Sequence, residues 1–373
     1  MNLPNDTLLQ GGRYRILKTL GQGGFGITYL AEQTMMHRNV CIKEFFVDEK
    51  CGRDSTSSQV YALSQTFGDF LDSYLRKFVR EAQTIARLDH PNIVKIFDAF
   101  EENGTAYYVM EYLEGKSLKE LVKDGGRLAQ DKALEYITKA GEALEYVHSK
   151  RIMHLDVKPS NIMLTNGGKV ILIDFGVAKN YDEVGLEKSH TPVAISRGYA
   201  PLEQYIAGGV SKFCPQSDIY SLAATLYTLL TGETPTEAPM LSTQGLVFPE
   251  FVPDKIATAI TRAMELKISD RPASVGEFLT SLSPGTDAFQ GEKPAAEPEK
   301  ATPENQEPQK PTPRKTEPEK EVPKIQELKI EPETQKKVAI KTTIKRIIRV
   351  IMTVIALLIV ISVTVVIVAL FLV

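Results

Sequence analysis

Two stretches of sequence decide how this chain folds: His154-Leu-Asp-Val-Lys-Pro-Ser-Asn-Ile-Met163 and, further on, Ile171-Leu-Ile-Asp-Phe-Gly176. In the first, Asp156 can orient a hydroxyl nucleophile, and Lys158 can neutralise a phosphoryl group during transfer. Asn161 and Asp174 carry hard oxygen ligands of the kind that Mg²⁺ prefers. This combination, in this order, favours a site for phosphoryl transfer over two ordinary loops.

A glycine-rich loop lies upstream, after a stretch, Tyr14–Leu20, that alternates like a strand. Its residues are Gly21, Gln22, Gly23, Gly24, Phe25 and Gly26. Glycine lets the backbone approach phosphates closely and point its N–H groups at them. By itself, the loop fits an unliganded hairpin turn equally well. Because a β-branched segment follows it instead of a helix, the pattern favours a phosphate-covering loop between two strands over a Rossmann loop.

Lys43 stands inside an apolar strand pattern. Its side chain could snorkel from an edge strand to solvent, or it could supply a point charge to nucleotide phosphates. The second function requires a carboxylate that keeps the amine charged and aimed, and Glu81 on the next helical pattern is the candidate. The ordinary alternative for Glu81 is a solvated glutamate on a helix face.

Together these motifs resemble those of eukaryotic-like Ser/Thr protein kinases of the bacterial type, over about Tyr14 to Leu282. The resemblance implies an α+β, bilobal protein-kinase fold with a small, mostly β N-lobe and a larger, mostly α C-lobe. It also implies ATP and Mg²⁺ as cofactors, with Asp156 and Lys158 as catalytic residues and Asn161 and Asp174 as metal ligands. A lysine two positions after Asp156 is the Ser/Thr-kinase pattern rather than the usual tyrosine-kinase one.

The same resemblance implies a nucleotide pocket. Cys41 replaces the usual alanine over the adenine, and Met163 lies near the pocket floor. Met110 is the gatekeeper, and Glu111 to Leu113 form the hinge whose backbone meets adenine. The implied nucleotide-binding residues are Gly21, Gln22, Gly23, Gly24, Phe25, Gly26, Thr28, Cys41, Lys43, Glu81, Met110, Glu111, Leu113 and Met163.

Further features resemble the parts of a kinase that hold the peptide substrate. Ala200-Pro-Leu-Glu203 is similar to the A-P-E motif with one residue inserted, and Arg271 is similar to the arginine that pairs with its glutamate. Asp218 resembles the aspartate that braces the catalytic loop. By the same resemblance, the hydroxyl of Ser196 lies within reach of the catalytic side chains.

Two departures from the family pattern change the expectations. Leu155 stands where many kinases carry an arginine that receives an activation-loop phosphate. Phosphorylation of Ser189 or Thr191 is therefore not expected to switch the enzyme by that route. Between the strand lysine and its helix partner, the chain is also longer than the fold needs. For this extra segment, residues 51–67, we expect a solvated loop, with a lid or a partner surface as alternatives.

Composition divides the 373-residue chain into a globular part and a polar tail. We predict the N-lobe at residues 1–112, the C-lobe at 113–283, a disordered Pro/Glu/Lys-rich linker at 284–345 and a transmembrane helix at 346–373. The linker carries too few apolar residues to offset its ordering entropy. Val350–Val373 is uncharged and, at about 36 Å as a helix, long enough to span a bilayer. A buried helix of a soluble domain is the alternative.

The charge and the cysteine content of the chain limit where the protein is expected to be located and which partners it is expected to bind. The net charge of −3 gives no global field for nucleic acid, and the three cysteines fit neither a zinc site nor a disulfide framework. Basic residues before the apolar run favour a single-pass membrane protein with a cytoplasmic kinase domain. The expected partners are ATP, proteins with Ser or Thr acceptors, and membrane lipid around the C-terminal helix. Dimerisation is left open.

The first hypothesis for activity is MgATP-dependent phosphorylation of Ser and Thr in proteins, including autophosphorylation. A membrane-held pseudokinase scaffold is the second, and a small-molecule kinase is the third. A pseudokinase usually lacks at least one residue of the catalytic set, whereas this chain has Lys43, Glu81, Asp156, Asn161 and Asp174. The peptide-binding features favour a protein substrate. Because Ser117 and Ser160 carry no charge at the usual peptide-reading positions, we infer no strong preference for basic substrates.

Overall fold

The protein is described from a computed structural model, in which the described residues are 2–24, 26–175, 179–180, 195–206 and 210–283. They all belong to the first of two compact units, Met1–Gln290. No helix within these residues is long and apolar enough to cross a bilayer. Outside them lie the predictions made for Phe25, Gly176, Ser189, Thr191, the linker at 284–345 and the transmembrane helix at 346–373.

The N-terminal part of this unit is built mainly of antiparallel strands. In chain order they are β1 (Leu8–Leu9), β2 (Tyr14–Gly23), β3 (Gly26–Gln33), β4 (Arg38–Phe45), β5 (Cys51–Arg53), β6 (Val60–Ala62), β7 (Ile96–Glu102) and β8 (Thr105–Glu111). One sheet has the order β1-β2-β3-β4-β8-β7, and β5 pairs with β6 as a separate hairpin. Tyr14 and Ile16 of β2 are buried while Arg15 between them is exposed, as expected for a strand with one face on the core. A tight turn at Asn103-Gly104, where φ is 53° and 66°, joins β7 to β8.

A long helix, α1 (Gln65–Ile85), packs against β7 and β8. The hydroxyl of Ser64 caps its first turn by accepting the backbone N–H of Phe67. Its buried side chains recur at helical spacing, at Leu75, Phe78, Ala82 and Ile85. Because α1 also carries Glu81, this packing places that carboxylate beside the sheet.

The segment between β4 and α1 is not the solvated loop that we expected. It contains the hairpin β5–β6, in which Gly52 lies opposite Tyr61. The guanidinium of Arg53 donates to the carboxylate of Glu44 on β4 at 2.6 Å, and both side chains are almost fully buried. Cys51 is fully buried as well. Since a buried ion pair holds its partners in a defined geometry, the insertion is an integral part of the N-lobe.

The C-terminal part is mainly helical. Its helices are α2 (Leu118–Gly125), α3 (Gln130–Ser149), α4 (Leu202–Tyr205), α5 (Pro215–Thr231), α6 (Leu241–Gln244), α7 (Asp254–Ala263) and α8 (Val275–Leu282). Its short strands are β9 (Gly115–Ser117), β10 (Ile152–Met153), β11 (Ile162–Thr165), β12 (Val170–Leu172) and β13 (Lys179–Asn180). They pair as β12-β11-β9 and as β10-β13. Helix α2 is separated from α3 at Gly126, which adopts a φ of 77°.

Helix α5 lies at the centre of the C-terminal core. Its residues from Ser217 to Leu230 are all buried, and α3, α7 and α8 pack around it. A helix that is largely apolar on every side is stable only in such a position. Gly232 ends the helix with a φ of 82°, and a Cβ there would lie 2.1 Å from the backbone oxygen of Gly126. Glycine is therefore required at this close approach.

Candidate active site

The loop that carries the catalytic motif is held by Asp218 of α5. The carboxylate of Asp218 accepts the backbone N–H groups of His154 at 2.9 Å and of Leu155 at 2.7 Å. His148 places its Nε2 2.7 Å from the same carboxylate. Burial acts to raise the pKa of Asp218, but the hydrogen bond and charge of His148 outweigh it and lower the pKa. The buried carboxylate is therefore ionised, and it braces the loop as the resemblance implied.

Three side chains meet beside this loop. Lys158 places its Nζ 2.7 Å from Oδ2 of Asp156 and donates to Oγ of Ser196 at 2.8 Å. Ser196 in turn donates to Oδ1 of Asp156 at 2.5 Å. The predicted contact of Ser196 with the catalytic side chains is thus confirmed. Because the side chain of Asp156 is only 12% exposed, these hydrogen bonds fix where its carboxylate points.

Asn161 ties Asp156 to the segment that follows β12. Its Nδ2 donates to the backbone oxygen of Asp156 at 2.8 Å and to Oδ2 at 3.0 Å. Because Nδ2 is used in this way, Oδ1 is the amide atom that can act as a cation ligand. The backbone oxygen of Asn161 accepts the N–H of Ile173 at 2.9 Å, directly before Asp174. The two predicted metal ligands therefore lie on adjoining segments.

Lys43 is a buried cation, only 9% exposed, that forms an ion pair with Asp174. It lies on β4 between Thr28 of β3 and Tyr108 of β8. Burial acts to lower the pKa of Lys43, but the charge of Asp174, with a smaller contribution from Glu81, outweighs it and raises the pKa. Burial acts to raise the pKa of Asp174, and the charge and hydrogen bond of Lys43 hold it below its ordinary value instead. Both groups are charged at neutral pH.

The carboxylate predicted to hold Lys43 was that of Glu81. Lys43 forms an ion pair with Asp174, and the charge of Glu81 on α1 also acts to raise the pKa of this lysine. The site thus arranges two carboxylates around one lysine. The alternative of an edge-strand lysine in solvent is excluded, because β4 lies in the interior of the sheet.

An apolar cluster next to this ion pair contains Cys41, Met110, Leu113 and Met163. Cys41 and Met110 lie opposite each other on β4 and β8, and Met163 lies on β11. Glu111 follows Met110 at the end of β8. Burial raises the pKa of the Cys41 thiol to about 12, so the thiol stays protonated. The residues predicted to line the adenine pocket are thus brought together on one apolar surface.

The glycine-rich loop joins β2 to β3 and so has the predicted strand–loop–strand form. The residues from Gly21 to Gly24 are exposed, and a Cβ on Gly21 or Gly24 would meet nothing within 4 Å. Gly26 differs, since a Cβ there would lie 2.5 Å from the backbone oxygen of Glu44. Strand packing therefore requires glycine at position 26, whereas the exposed glycines leave open space above the loop.

The segment that follows Ser196 is anchored by a second buried ion pair. Arg271 donates to both carboxylate oxygens of Glu203, at 2.7 and 3.0 Å, and Ser217 of α5 donates to the same carboxylate at 2.6 Å. Burial acts to raise the pKa of Glu203, but Arg271 outweighs it and lowers the pKa. The pairing that the resemblance implied for these two residues is confirmed.

Leu155 is buried in an apolar cluster with Met153 and Val210, against which Phe213 and Cys214 pack. The backbone of this loop also accepts a hydrogen bond from Nε2 of Gln204, at the oxygen of Leu155. The side chain of Leu155 has no donor for a phosphate, and the expectation about Ser189 and Thr191 stays a prediction because both lie outside the described residues.

Comparison with known proteins decides the family. The model of the family described as "Protein kinase domain" matches residues 14–247, which is more than half of the chain. This chain belongs to the protein kinase family. The bilobal arrangement of a β-rich N-lobe and a helical C-lobe agrees with a solved structure titled "PpkA-294 apo form". That structure is 26% identical to this kinase, with a TM-score of 0.62, over 76% of this chain and 99% of the other.

Three curated proteins from bacteria illustrate the similarity. It is 37% identical to the serine/threonine-protein kinase PrkC of Bacillus subtilis, over 60% of this chain and 31% of that protein. It is 36% identical to the serine/threonine-protein kinase PknB of Mycolicibacterium smegmatis, over 60% of this chain and 33% of that protein. It is 32% identical to a probable serine/threonine-protein kinase of Clostridium acetobutylicum, over 73% of this chain and 39% of that protein. The chain thus spans well under half of the length of these relatives.

Two features near the site were not predicted from the sequence. One is the buried pair of Arg53 and Glu44, which no motif marks although Glu44 directly follows Lys43. The other is a group of basic side chains around Ser196, described below. The sequence did contain a signal for part of this basic group, because Lys119 and Lys123 are four residues apart on α2 and so lie on one helix face.

Proposed function

We propose that this kinase transfers the γ-phosphoryl group of ATP to Ser and Thr hydroxyls of proteins, including its own. The observation that carries the proposal is the set of hydrogen bonds among Asp156, Lys158 and Ser196, in which a serine hydroxyl already occupies the position of an acceptor against the aspartate. A substrate hydroxyl at that point would find a proton acceptor and a cation within hydrogen-bond distance.

The residues present fit ATP and Mg²⁺. The apolar cluster around Cys41 suits a flat aromatic ring, and the small glycines of the loop between β2 and β3 let its backbone approach phosphates closely. Asn161 and Asp174 offer hard oxygen ligands, and Lys43 offers a buried positive charge. Within the described residues no group of three or more His, Cys, Asp or Glu side chains could hold a metal by itself. Asn161 and Asp174 would hold Mg²⁺, which would shield the negative charge of the phosphates.

When bound, MgATP supplies the phosphoryl group and shields its charge. Asp156 orients the acceptor hydroxyl and receives its proton at a carboxylate oxygen. Lys158 stabilises the negative charge that develops between donor and acceptor. Lys43 would hold the phosphates by its charge, and Asp174 would help to hold the metal ion. Each of these steps uses a side chain whose position is fixed by a neighbour on a different element.

The test of the catalytic assignment is the variant Asp156→Asn. We expect turnover of MgATP into phosphoprotein to fall by several orders of magnitude, because no neighbouring oxygen replaces the carboxylate. Thermal unfolding and nucleotide binding should stay close to those of the wild type. Asp131→Asn, at an exposed position in the first turn of α3, is the matched control and should keep full activity. Autophosphorylation near the wild-type rate in Asp156→Asn would contradict the proposal.

The rival hypothesis is a pseudokinase scaffold, and the same assay distinguishes it. A wild-type protein that binds ATP but transfers no phosphoryl group to itself or to any protein would favour the scaffold. Phosphosite mapping by mass spectrometry on the wild type and Asp156→Asn separates the two hypotheses.

We also propose that the kinase is held at a membrane by one helix within residues 346–373. The support is the uncharged run Val350–Val373 and the basic cluster that precedes it, formed by Lys336, Lys337, Lys341, Lys345, Arg346 and Arg349. Such clusters favour the cytoplasmic side and add attraction to anionic headgroups. Removal of residues 346–373 should shift the kinase from the membrane to the soluble fraction. Continued sedimentation with membranes after this truncation would overturn the anchor.

A further inference from the structure

A cavity of about 510 Å³ lies directly beside the catalytic loop. The described residues that line it are Lys119, Val122, Lys123, Lys158, Pro159, Ser160, Ser196, Arg197, Tyr199, Thr228, Gly232 and Thr234. It is continuous with the site of chemistry, because Lys158 and Ser196 both hydrogen-bond Asp156. A peptide whose hydroxyl reaches Asp156 must therefore place neighbouring residues in or over this cavity.

The lining of this cavity is strongly basic. Among the described residues that form it, four are Lys or Arg and none is Asp or Glu. Lys119 and Lys123 lie four positions apart on α2 and so present their side chains on one face of that helix. Arg197 extends from the segment next to Ser196, with 83% of its side chain exposed. The positive charge is thus supplied from two separate elements on either side of the cavity.

Of the carboxylates close to this basic lining, Asp124 and Glu120 have partners outside the cavity, whereas Glu237 lies beside Arg197. Asp124 pairs with Lys116 at 2.7 Å. Glu120 completes the N-terminal capping box of α2 with Ser117. Glu237 accepts the hydroxyl of Tyr205 at 3.3 Å and lies 3.9 Å from Arg197. Within the part of the chain that the structure describes, Lys119 and Lys123 have no ion-pair partner.

We propose that this cavity binds an anionic side chain of the substrate, a few residues from the Ser or Thr that is phosphorylated. The ligand chemistry is that of an Asp or Glu carboxylate or of the phosphoryl group on a residue that is already modified. The inference rests on the proposed function and deepens it by naming the class of substrate. Positive charges at the rim of a partly enclosed site attract an anionic peptide and repel a basic one.

The neutral residue Ser160 supports the same reading. It lies in the cavity wall directly before Asn161, where a carboxylate would attract a basic peptide residue. With serine there, position 160 adds no carboxylate to the wall that would compete with the peptide for Lys119 and Lys123. The expected preference is therefore for acidic peptides, and it should weaken with added salt because the cavity opens to solvent.

The experiment uses the full-length kinase and a peptide library with a single Thr. Each position from five residues before to four residues after the Thr carries, in turn, Glu, phosphoserine, Gln or Lys. For at least one position we expect kcat/KM to be about fivefold higher with Glu than with Gln, and lower with Lys than with Gln. Comparison of Glu with phosphoserine at that position shows whether a carboxylate or a phosphoryl group is the better ligand.

The variant Lys119→Gln/Lys123→Gln should reduce the Glu-to-Gln preference to below about twofold. The charge reversal Lys119→Glu/Lys123→Glu should invert it, so that Lys becomes better than Gln. The matched control is Lys132→Gln/Lys139→Gln, which removes two exposed lysines on α3, and it should keep the wild-type preference. Thermal unfolding of all variants shows that they are folded.

A wild-type kinase with no preference for Glu or phosphoserine at any position would overturn the inference, as would a preference that survives in both α2 variants. These outcomes differ from failure of the proposed function, in which the wild type would phosphorylate no peptide of the library and no protein. In every outcome with measurable transfer, the ratio between peptides decides the question.

Discussion

Each lobe of this kinase contains a buried pair of arginine and glutamate, and the two pairs differ in what surrounds them. In the N-lobe, Arg53 and Glu44 lie 2.6 Å apart, with side chains 4% and 0% exposed. In the C-lobe, Arg271 and Glu203 lie 2.7 Å apart, with side chains 0% and 14% exposed. The charges and the burial are nearly the same. The remaining hydrogen-bond partners are different, and they decide which member of each pair matters most.

In the N-lobe the glutamate is the centre of the network. Glu44 also accepts the hydroxyls of Tyr29 at 2.7 Å and Tyr107 at 2.6 Å, so it keeps two donors when the arginine is lost. In the C-lobe the arginine is the centre, since Arg271 also donates to the backbone oxygen of Glu265 at 2.6 Å. The comparison teaches that the cost of breaking a buried pair depends on the donors and acceptors left behind.

The largest effect is expected for Arg271→Met. It leaves the carboxylate of Glu203 and several backbone oxygens without their shared donor, and removal of one partner of a buried pair costs about 3–5 kcal/mol. Urea unfolding of the soluble kinase domain measures the free energy of unfolding. Arg262→Met, which breaks the half-exposed pair with Glu277, is the control and should cost at most about 1 kcal/mol. Equal losses in the free energy of unfolding for Arg271→Met and Arg262→Met would contradict the central position of Arg271 in the buried network of the C-lobe.

A smaller effect is expected for Arg53→Met. Because Tyr29 and Tyr107 still donate to Glu44, we expect a loss of about 1–3 kcal/mol, below that of Arg271→Met. The same unfolding measurement ranks the two variants. If Arg53→Met were the more destabilising variant, the hydroxyls of Tyr29 and Tyr107 would not compensate Glu44 for the loss of Arg53.

The cysteines give a local measure of the same comparison. Cys51 is buried in the insertion beside Arg53, and Cys214 lies next to Glu203 and Arg271 in the C-lobe. Local opening that becomes easier by about 1.4 kcal/mol should speed alkylation about tenfold. We expect Arg53→Met to accelerate labelling of Cys51 and not of Cys214, and Arg271→Met to do the reverse. Acceleration of both thiols in either variant would show that the lobes open together.

The smallest effect is a dependence of stability on pH. In the wild type, the pKa of Glu203 is below its ordinary value of about 4.5. The ionised carboxylate therefore contributes fully to the free energy of unfolding above that pH. This contribution is lost as the pH falls toward the lower pKa of the folded state. In Arg271→Met, the hydrogen bonds and charge of Arg271 no longer lower the pKa of Glu203, while burial still acts to raise it and the hydrogen bond of Ser217 still acts to lower it. The pKa of Glu203 is therefore higher than in the wild type, and less stability depends on its ionised form. Unfolding at several pH values between about 6 and 3 should therefore give a shallower acid loss for Arg271→Met than for the wild type.

Most of the site features that family motifs mark were predicted from the sequence. The catalytic loop, its brace by Asp218 and the pair of Glu203 with Arg271 have residue types and spacings that the kinase chemistry requires. The Arg53–Glu44 pair could not be predicted, because its members are separated by an insertion whose path through the fold has no sequence signature. The roles assigned to individual site residues stay predictions, although the structure brings Lys43, Asp174 and Asn161 to one place.

The ion pair of Lys43 with Asp174, in addition to the predicted Glu81, was not predicted for a different reason. Both carboxylates are able to neutralise a buried lysine, and their approach to Lys43 depends on where α1 and the segment after β12 lie against the sheet. That position results from packing over many residues rather than from any local pattern. Periodicity did predict the helix that carries Glu81, and the structure shows it as α1, Gln65–Ile85.

Leu155 and Asp174 are two residues of the site with a left-handed backbone, at φ values of 61° and 55°. A side chain other than glycine in this region costs about 1–3 kcal/mol, so the loop stores strain beside the reacting atoms. The carboxylate of Asp218 opposes this strain where it accepts the N–H groups of His154 and Leu155. Without that anchor, the loop would relax toward an ordinary backbone while the helical core stayed folded. The lobe would thus lose its working geometry well before it lost its structure.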